Sequence, residues 1–136
     1  MDSIVERADL AEPASVSSLG PGEIDRLPLS PVAKVAGVRV RELWRRGDFV
    51  DALIVYAAGA ATPGQPHIAA HHHIWVVSGE ATIAGRRLAA GSYVYVPPGV
   101  AHPISAAEAG CALLQMHRPY TVGADAPTGH RPATGR

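Results

Sequence analysis

Between Val35 and His117 the chain is cut at short intervals by Gly47-Asp48, Gly59, Pro63-Gly64, Gly79, Gly85, Gly91 and Pro97-Pro98-Gly99. These are residues that supply turn conformations and end regular structure. The runs left between them are Val35 to Leu43, Phe49 to Ala57, His72 to Val77, Ala81 to Ile83, Arg86 to Leu88, Tyr93 to Val96 and Ala112 to His117, and they are of β type. Short β-type runs separated by turn residues are the rhythm of a sandwich or barrel, so the chain is predicted to be all-β.

A chain of 136 residues with 47% apolar residues has the size of one domain and the means to bury a modest core. Aromatic residues make up only 5%, so Val, Ile, Leu and Ala are expected to fill it. Residues 1 to 30 carry a short helical possibility at Ile4 to Leu10 and then Pro13, Gly20, Pro21, Gly22 and Pro28, which reads as a lead-in arm. Residues 31 to 118 form the predicted barrel. Residues 119 to 136, built of Gly, Pro, Thr and Ala with a few charges, are expected to be a mobile tail.

The formal net charge is zero and the basic residues are scattered, which leaves no footprint for nucleic acid. No apolar run approaches the roughly 18 residues of a membrane span, and Asp2, Glu6 and Asp9 stand where a secretory leader needs positive charge. A cytoplasmic protein is expected. The single cysteine, Cys111, excludes an internal disulfide framework and fits as a small buried thiol in Cys111-Ala112-Leu113-Leu114.

Five of the seven histidines, His67, His71, His72, His73 and His102, lie in the most strand-like part of the chain. Neutral imidazole is the commonest protein ligand for transition metals, so the cluster suggests a metal site. Three consecutive histidines are also compatible with a polar strand end.

The spacing narrows the choice. Gly59 is followed after five residues by Gln65-x-His67, after four more by His72, and after six more by Gly79. Downstream, Gly91 is followed after five residues by Pro97-Pro98-Gly99 and then, after two, by His102. This pair of blocks resembles the two motifs of the cupin superfamily, and the resemblance implies a single-domain cupin, a small antiparallel β-barrel or jelly roll. The second motif is intact except that Ala106 stands at its trailing Asn position. In the first, Gln65 replaces the usual first His and His72 the usual Glu. The eleven residues Glu80 to Ala90 between the motifs suit a compact hairpin turning at Gly85.

By the resemblance, Gln65, His67, His72 and His102 hold one divalent transition metal ion, which imidazole-rich donors leave open among Zn, Fe, Ni and Cu. Alternation along a strand allows Gln65 and His67 to face one side together, with His72 joining them from the next strand. His71 and His73 then face outward, and a register slip of one residue would bring one of them in instead of His72. The rigid Pro97-Pro98-Gly99 turn is expected to fix the start of the strand carrying His102. Tyr56, Tyr93, Tyr95, Trp44 and Trp75 suit either the pocket or ordinary packing, Met116 suits the core, and His117 suits either the surface or a place behind the ligands.

Four neutral donors leave the ion its full double charge, so an anionic or enolisable ligand is favoured. The resemblance then implies a metal-dependent enzyme of small-molecule, secondary metabolism. One form is like the cupin polyketide cyclases, with Lewis-acid cyclisation of a polyketide-like or β-diketone substrate through a metal-bound enolate. Another is like the three-histidine non-haem iron dioxygenases, cleaving a diketone or phenolic substrate. Sugar isomerases of the cupin class share the Gln-x-His pair but keep a carboxylate ligand that these blocks lack. A non-catalytic metal- or ligand-binding cupin is the remaining alternative; sensors of that kind are often fused to a second domain, for which 136 residues leave little room. A small-molecule substrate, no membrane or nucleic-acid partner and a homodimer are expected.

Overall fold

The computed structural model describes residues 15–119, and the helical possibility at Ile4 to Leu10 and the segment after Pro119 lie outside them. Among the described residues one short helix, α1 (Pro21–Asp25), precedes eight strands: β1 (Ser30–Pro31), β2 (Val38–Arg46), β3 (Phe49–Tyr56), β4 (Ala61–Thr62), β5 (Ala70–Ile83), β6 (Arg86–Ala89), β7 (Tyr93–Val96) and β8 (Ile104–Pro119). Every strand pairing is antiparallel. The ladder runs β1-β2-β3-β8-β5-β6, with β4 added on β8 and β7 on β5. This is a jelly roll, the all-β architecture that the turn punctuation predicts.

Two strands do most of the joining. β8 spans 16 residues and β5 spans 14. They pair from Ala70↔Pro119 to Ile83↔Ile104, with register shifts between Val76 and Ser78 and between Gly79 and Ala81. Gly79, which the sequence suggests as a break, lies inside β5. Its φ is 74°, and a Cβ there would sit 2.1 Å from the Gly110 carbonyl oxygen, so only glycine lets the two strands touch at this bend.

Alternation along β5 sends His72, Ile74 and Val76 inward and His71, His73, Trp75 and Val77 outward. From β8, Cys111 and Leu113 meet the inward set, and Val38, Tyr56, Ala81, Ile83, Val96, Ile104 and Ala106 complete the core. It is an aliphatic core, as the low aromatic content requires. Cys111 is buried within it, and burial raises its thiol pKa above the ordinary range. Met116 departs from the core placement, because it lies opposite His73 and Asp51 on the outward face and is half-buried.

Candidate metal centre

Pro63 and Pro66 flank a stretch that cannot continue the β4 ladder, so residues 63–67 leave the sheet and cross one end of the barrel as an irregular loop. Residues 97–103 do the same before β8 begins at Ile104. Gln65, His67 and His102 therefore stand on loops, and the expectation that a strand carries each of them is corrected by these prolines and by the left-handed Gly64. Two backbone hydrogen bonds clasp the loops together. Gly99 N–H donates to the His67 carbonyl at 3.0 Å, and His102 N–H donates to the Gly64 carbonyl at 2.8 Å. Gly64 has a φ of 62°, and a Cβ there would lie 2.0 Å from the His102 carbonyl oxygen. Any larger residue would force the loops apart.

The clasp sets His67 and His102 over His72, which enters from β5. One ring nitrogen from each of the three lies within 4.8 Å of the others. Their ring centres are 4.7 Å apart for His67 and His72, 5.4 Å for His72 and His102, and 6.1 Å for His67 and His102. Two imidazoles bound to one ion by bonds of about 2.1 Å keep their ring centres within roughly 6.4 Å, so all three separations suit a shared ion. His72 and His102 are buried and His67 is exposed, which leaves one side of the cluster open to solvent. Gln65 is exposed on the same loop, two residues before His67.

A fourth imidazole joins the group. His117 lies directly opposite His72 in the β5–β8 register, and its Nδ1 is 2.8 Å from His72 Nε2. Its ring is 4.8 Å from His72 and 5.8 Å from His67. The signal for it was present in the sequence: counting inward from Leu113 by twos along one strand reaches Gln115 and His117.

The electrostatics favour the neutral form of His72, His102 and His117. Burial, followed by the neighbouring His117, His67, His102 and His71, pulls the His72 pKa down from 6.5 to about 3. Burial also lowers His102, partly opposed by its hydrogen bond to Val100, and lowers His117. A neutral imidazole is the form that binds a metal.

The hydrogen-bond pattern fits a metal ion. His102 Nδ1 lies 3.3 Å from the Val100 carbonyl, an acceptor only, so Nδ1–H donates and Nε2 keeps its lone pair. Between His72 Nε2 and His117 Nδ1 either ring can carry the shared proton, and with Nε2–H as the donor the lone pair of His72 is left on Nδ1. That Nδ1 is buried with no hydrogen-bond partner among the described residues. An unpaired buried polar atom of this kind costs about 1–3 kcal/mol, which coordination would offset.

His71 and His73 are on the other face of β5. Their Nδ1 atoms meet Tyr95 Oη at 3.1 Å and Tyr93 Oη at 2.6 Å. Tyr93, Tyr95, Trp75 and Trp44 are exposed there, away from the inner cluster, whereas Tyr56 is buried in the core and bonded to Thr62 at 3.0 Å.

The sequence profile of the ChrR cupin-like domain matches residues 22–121. The chain belongs to this cupin family. A search of the curated proteins found no match. Among solved structures, this cupin is similar to KdgF from a Halomonas species, with 20% identity and a TM-score of 0.63 over 72% of this chain and 91% of that one. It is similar to the polyketide cyclase RemF from Streptomyces resistomycificus, with 15% identity and a TM-score of 0.62 over 82% and 89%. The cupin domain of an XRE-family transcriptional regulator from Enterobacter cloacae is also similar, with 22% identity and a TM-score of 0.55 over 62% and 99%. At these identities the likeness is one of fold. Among the described residues of the cupin, no helix is long and apolar enough to cross a membrane.

Proposed function

We propose that the chain is a metal-dependent cupin enzyme of small-molecule metabolism that promotes cyclisation of a polyketide-like or β-diketone substrate. The observation that carries this reading is the cluster itself: three imidazole nitrogens within 4.8 Å, a fourth imidazole on His72, and a buried unpartnered Nδ1. The similarity of fold to a polyketide cyclase supports it.

His67, His72 and His102 would hold one divalent transition ion, Zn, Fe, Ni or Cu, with Gln65 as the proposed fourth donor. When bound, such an ion supplies Lewis acidity to adjacent carbonyl oxygens. The residues do the rest. His117 orients the ring of His72 and is the group placed to hold or move a proton at His72 Nε2. The Val100 carbonyl, which can only accept, fixes the tautomer of His102. The exposed side at His67 admits the substrate, and an all-neutral donor set favours one that is anionic or enolisable.

The domain division follows the same reading: an arm over residues 1–30, the barrel over 31–118 and a tail over 119–136, in a cytoplasmic homodimer. Exposed Trp75, Val77, Tyr93 and Tyr95 on one sheet face suit a contact between copies. Size-exclusion at micromolar concentration should give a dimer, and a strictly monomeric profile would count against this part.

The test of the activity is turnover by zinc- and Fe(II)-loaded protein on poly-β-carbonyl and phenolic substrates. Cyclised product without dioxygen uptake is the expected result. Dioxygen consumption with Fe(II) would favour a dioxygenase. Absence of metal-dependent turnover across the panel would leave the ligand-binding reading, which the similarity to a regulator's cupin domain favours.

A further inference from the structure

The inner cluster uses only the middle one of three consecutive histidines. The other two form a group of their own. His71 and His73 are two residues apart on β5, so both point outward, and their ring centres are 5.5 Å apart at an interplanar angle of 63°. That separation falls within the roughly 6.4 Å limit for two imidazoles on one ion bound at about 2.1 Å. Two side chains at i and i+2 on a strand are also held apart by a rigid backbone, so little ordering remains to be done on binding.

The tyrosines of β7 complete the arrangement. Tyr95 and Tyr93 lie at the Nδ1 atoms of His71 and His73 respectively, in a register fixed by His73↔Tyr95 and Trp75↔Tyr93. A phenol oxygen that accepts Nδ1–H leaves the lone pair on Nε2 and orients the ring, which is how a partner behind a ligating histidine prepares it. In the inner cluster the Val100 carbonyl serves His102 in this way, and His117 orients His72 through its Nε2. The outer pair has its own two supports.

We propose that His71 and His73 form a second divalent-metal site on the outer face of β5, separate from the barrel site and suited to Ni, Cu or Zn. Two imidazoles fill only part of the coordination shell, and water supplies the remaining positions. This site is therefore weaker and faster to exchange than the inner one. Tyr93 and Tyr95 are its positioning residues.

The experiment is calorimetric titration of the metal-stripped full chain with Zn(II) and with Ni(II) at pH 7.5. Two ions per chain are expected, in a tight and a weak class; three per pair of chains supports the proposal equally, with two copies sharing the outer ion. His71→Asn/His73→Asn should remove the weak class and keep the tight one. His67→Ala/His102→Ala should do the reverse, so failure of the inner site and failure of the outer site give different results. Tyr93→Phe/Tyr95→Phe should weaken the second class several-fold and leave the first unchanged. On the unaltered chain, the ring resonances of His71 and His73 should shift only with the second equivalent of Zn(II). One ion per chain, or a second class that persists in His71→Asn/His73→Asn, would overturn the proposal.

Discussion

His71, His72 and His73 are chemically identical side chains in adjacent positions, yet the middle one is 2% exposed among three other imidazoles while its neighbours are half-buried against phenols. The difference is made entirely by the two-residue period of the strand. It teaches that a histidine run carries no single chemistry. The inward ring faces a desolvated cluster that suppresses its charge, and the outward rings face hydroxyls that act as donor or acceptor.

The largest effect should come from the inner side. His67→Ala or His102→Ala should lower affinity for the tightly bound ion on the order of 100-fold or more, read by elemental analysis after dialysis. His71→Ala should leave that ion in place. If the outer substitution strips it, the division between the faces is wrong.

Gly64→Ala should come next. A Cβ placed 2.0 Å from the His102 carbonyl on a left-handed residue must open the clasp between the loops, at a cost of about 2–3 kcal/mol. Thermal melting should register the loss. Metal affinity should fall with it, although no candidate ligand has been changed.

His117→Ala compared with Met116→Ala tests the same division on β8, where neighbouring residues face opposite ways. Loss of the group that orients His72 should weaken metal binding about 10- to 100-fold. Met116→Ala should leave it unaltered.

The pH response is smaller and its sign is fixed by the lowered pKa of His72. In the unfolded chain His72 accepts a proton near pH 6.5, whereas in the folded protein it does so only near 3. Between these values the unfolded state binds more protons, so stability of the metal-free protein should fall as pH drops from 6.5 toward 3 and be level above 6.5. Melting temperature between pH 5 and 8 measures this. A His71→Asn/His73→Asn variant should keep most of the acid sensitivity. The smallest change is Tyr93→Phe, which removes one exposed hydrogen bond and should shift stability by about 1 kcal/mol or less in denaturant titration.

The sequence was informative wherever a local rule governs. The strands over His71 to Val77 and Tyr93 to Val96 are visible because β-branched and aromatic residues are concentrated there between turn residues. Ile104 to Gly110 was not visible as strand. Its Ala, Ser and Glu content has little β preference, and it is held extended by pairs such as Thr82↔Ser105 and Ile83↔Ile104 from a distant strand. Histidine spacing identified His67 and His102, but not that loops carry them, because the clasp between Gly64 and His102 is a long-range contact. For His117 the sequence left the surface and a place behind the ligands both open for the same reason: its facing direction was countable, its opposition to His72 was not.

The clasp also sets an order of events. Gly64 and His102 flank the long-range β4–β8 pair Thr62↔Ile104, so the two loops should close only as that distant pairing forms, late in folding. An ion that needs both loops has no assembled site on a partly folded chain. It should slow unfolding far more than it speeds folding, acting as a latch on a finished barrel rather than as a template for one.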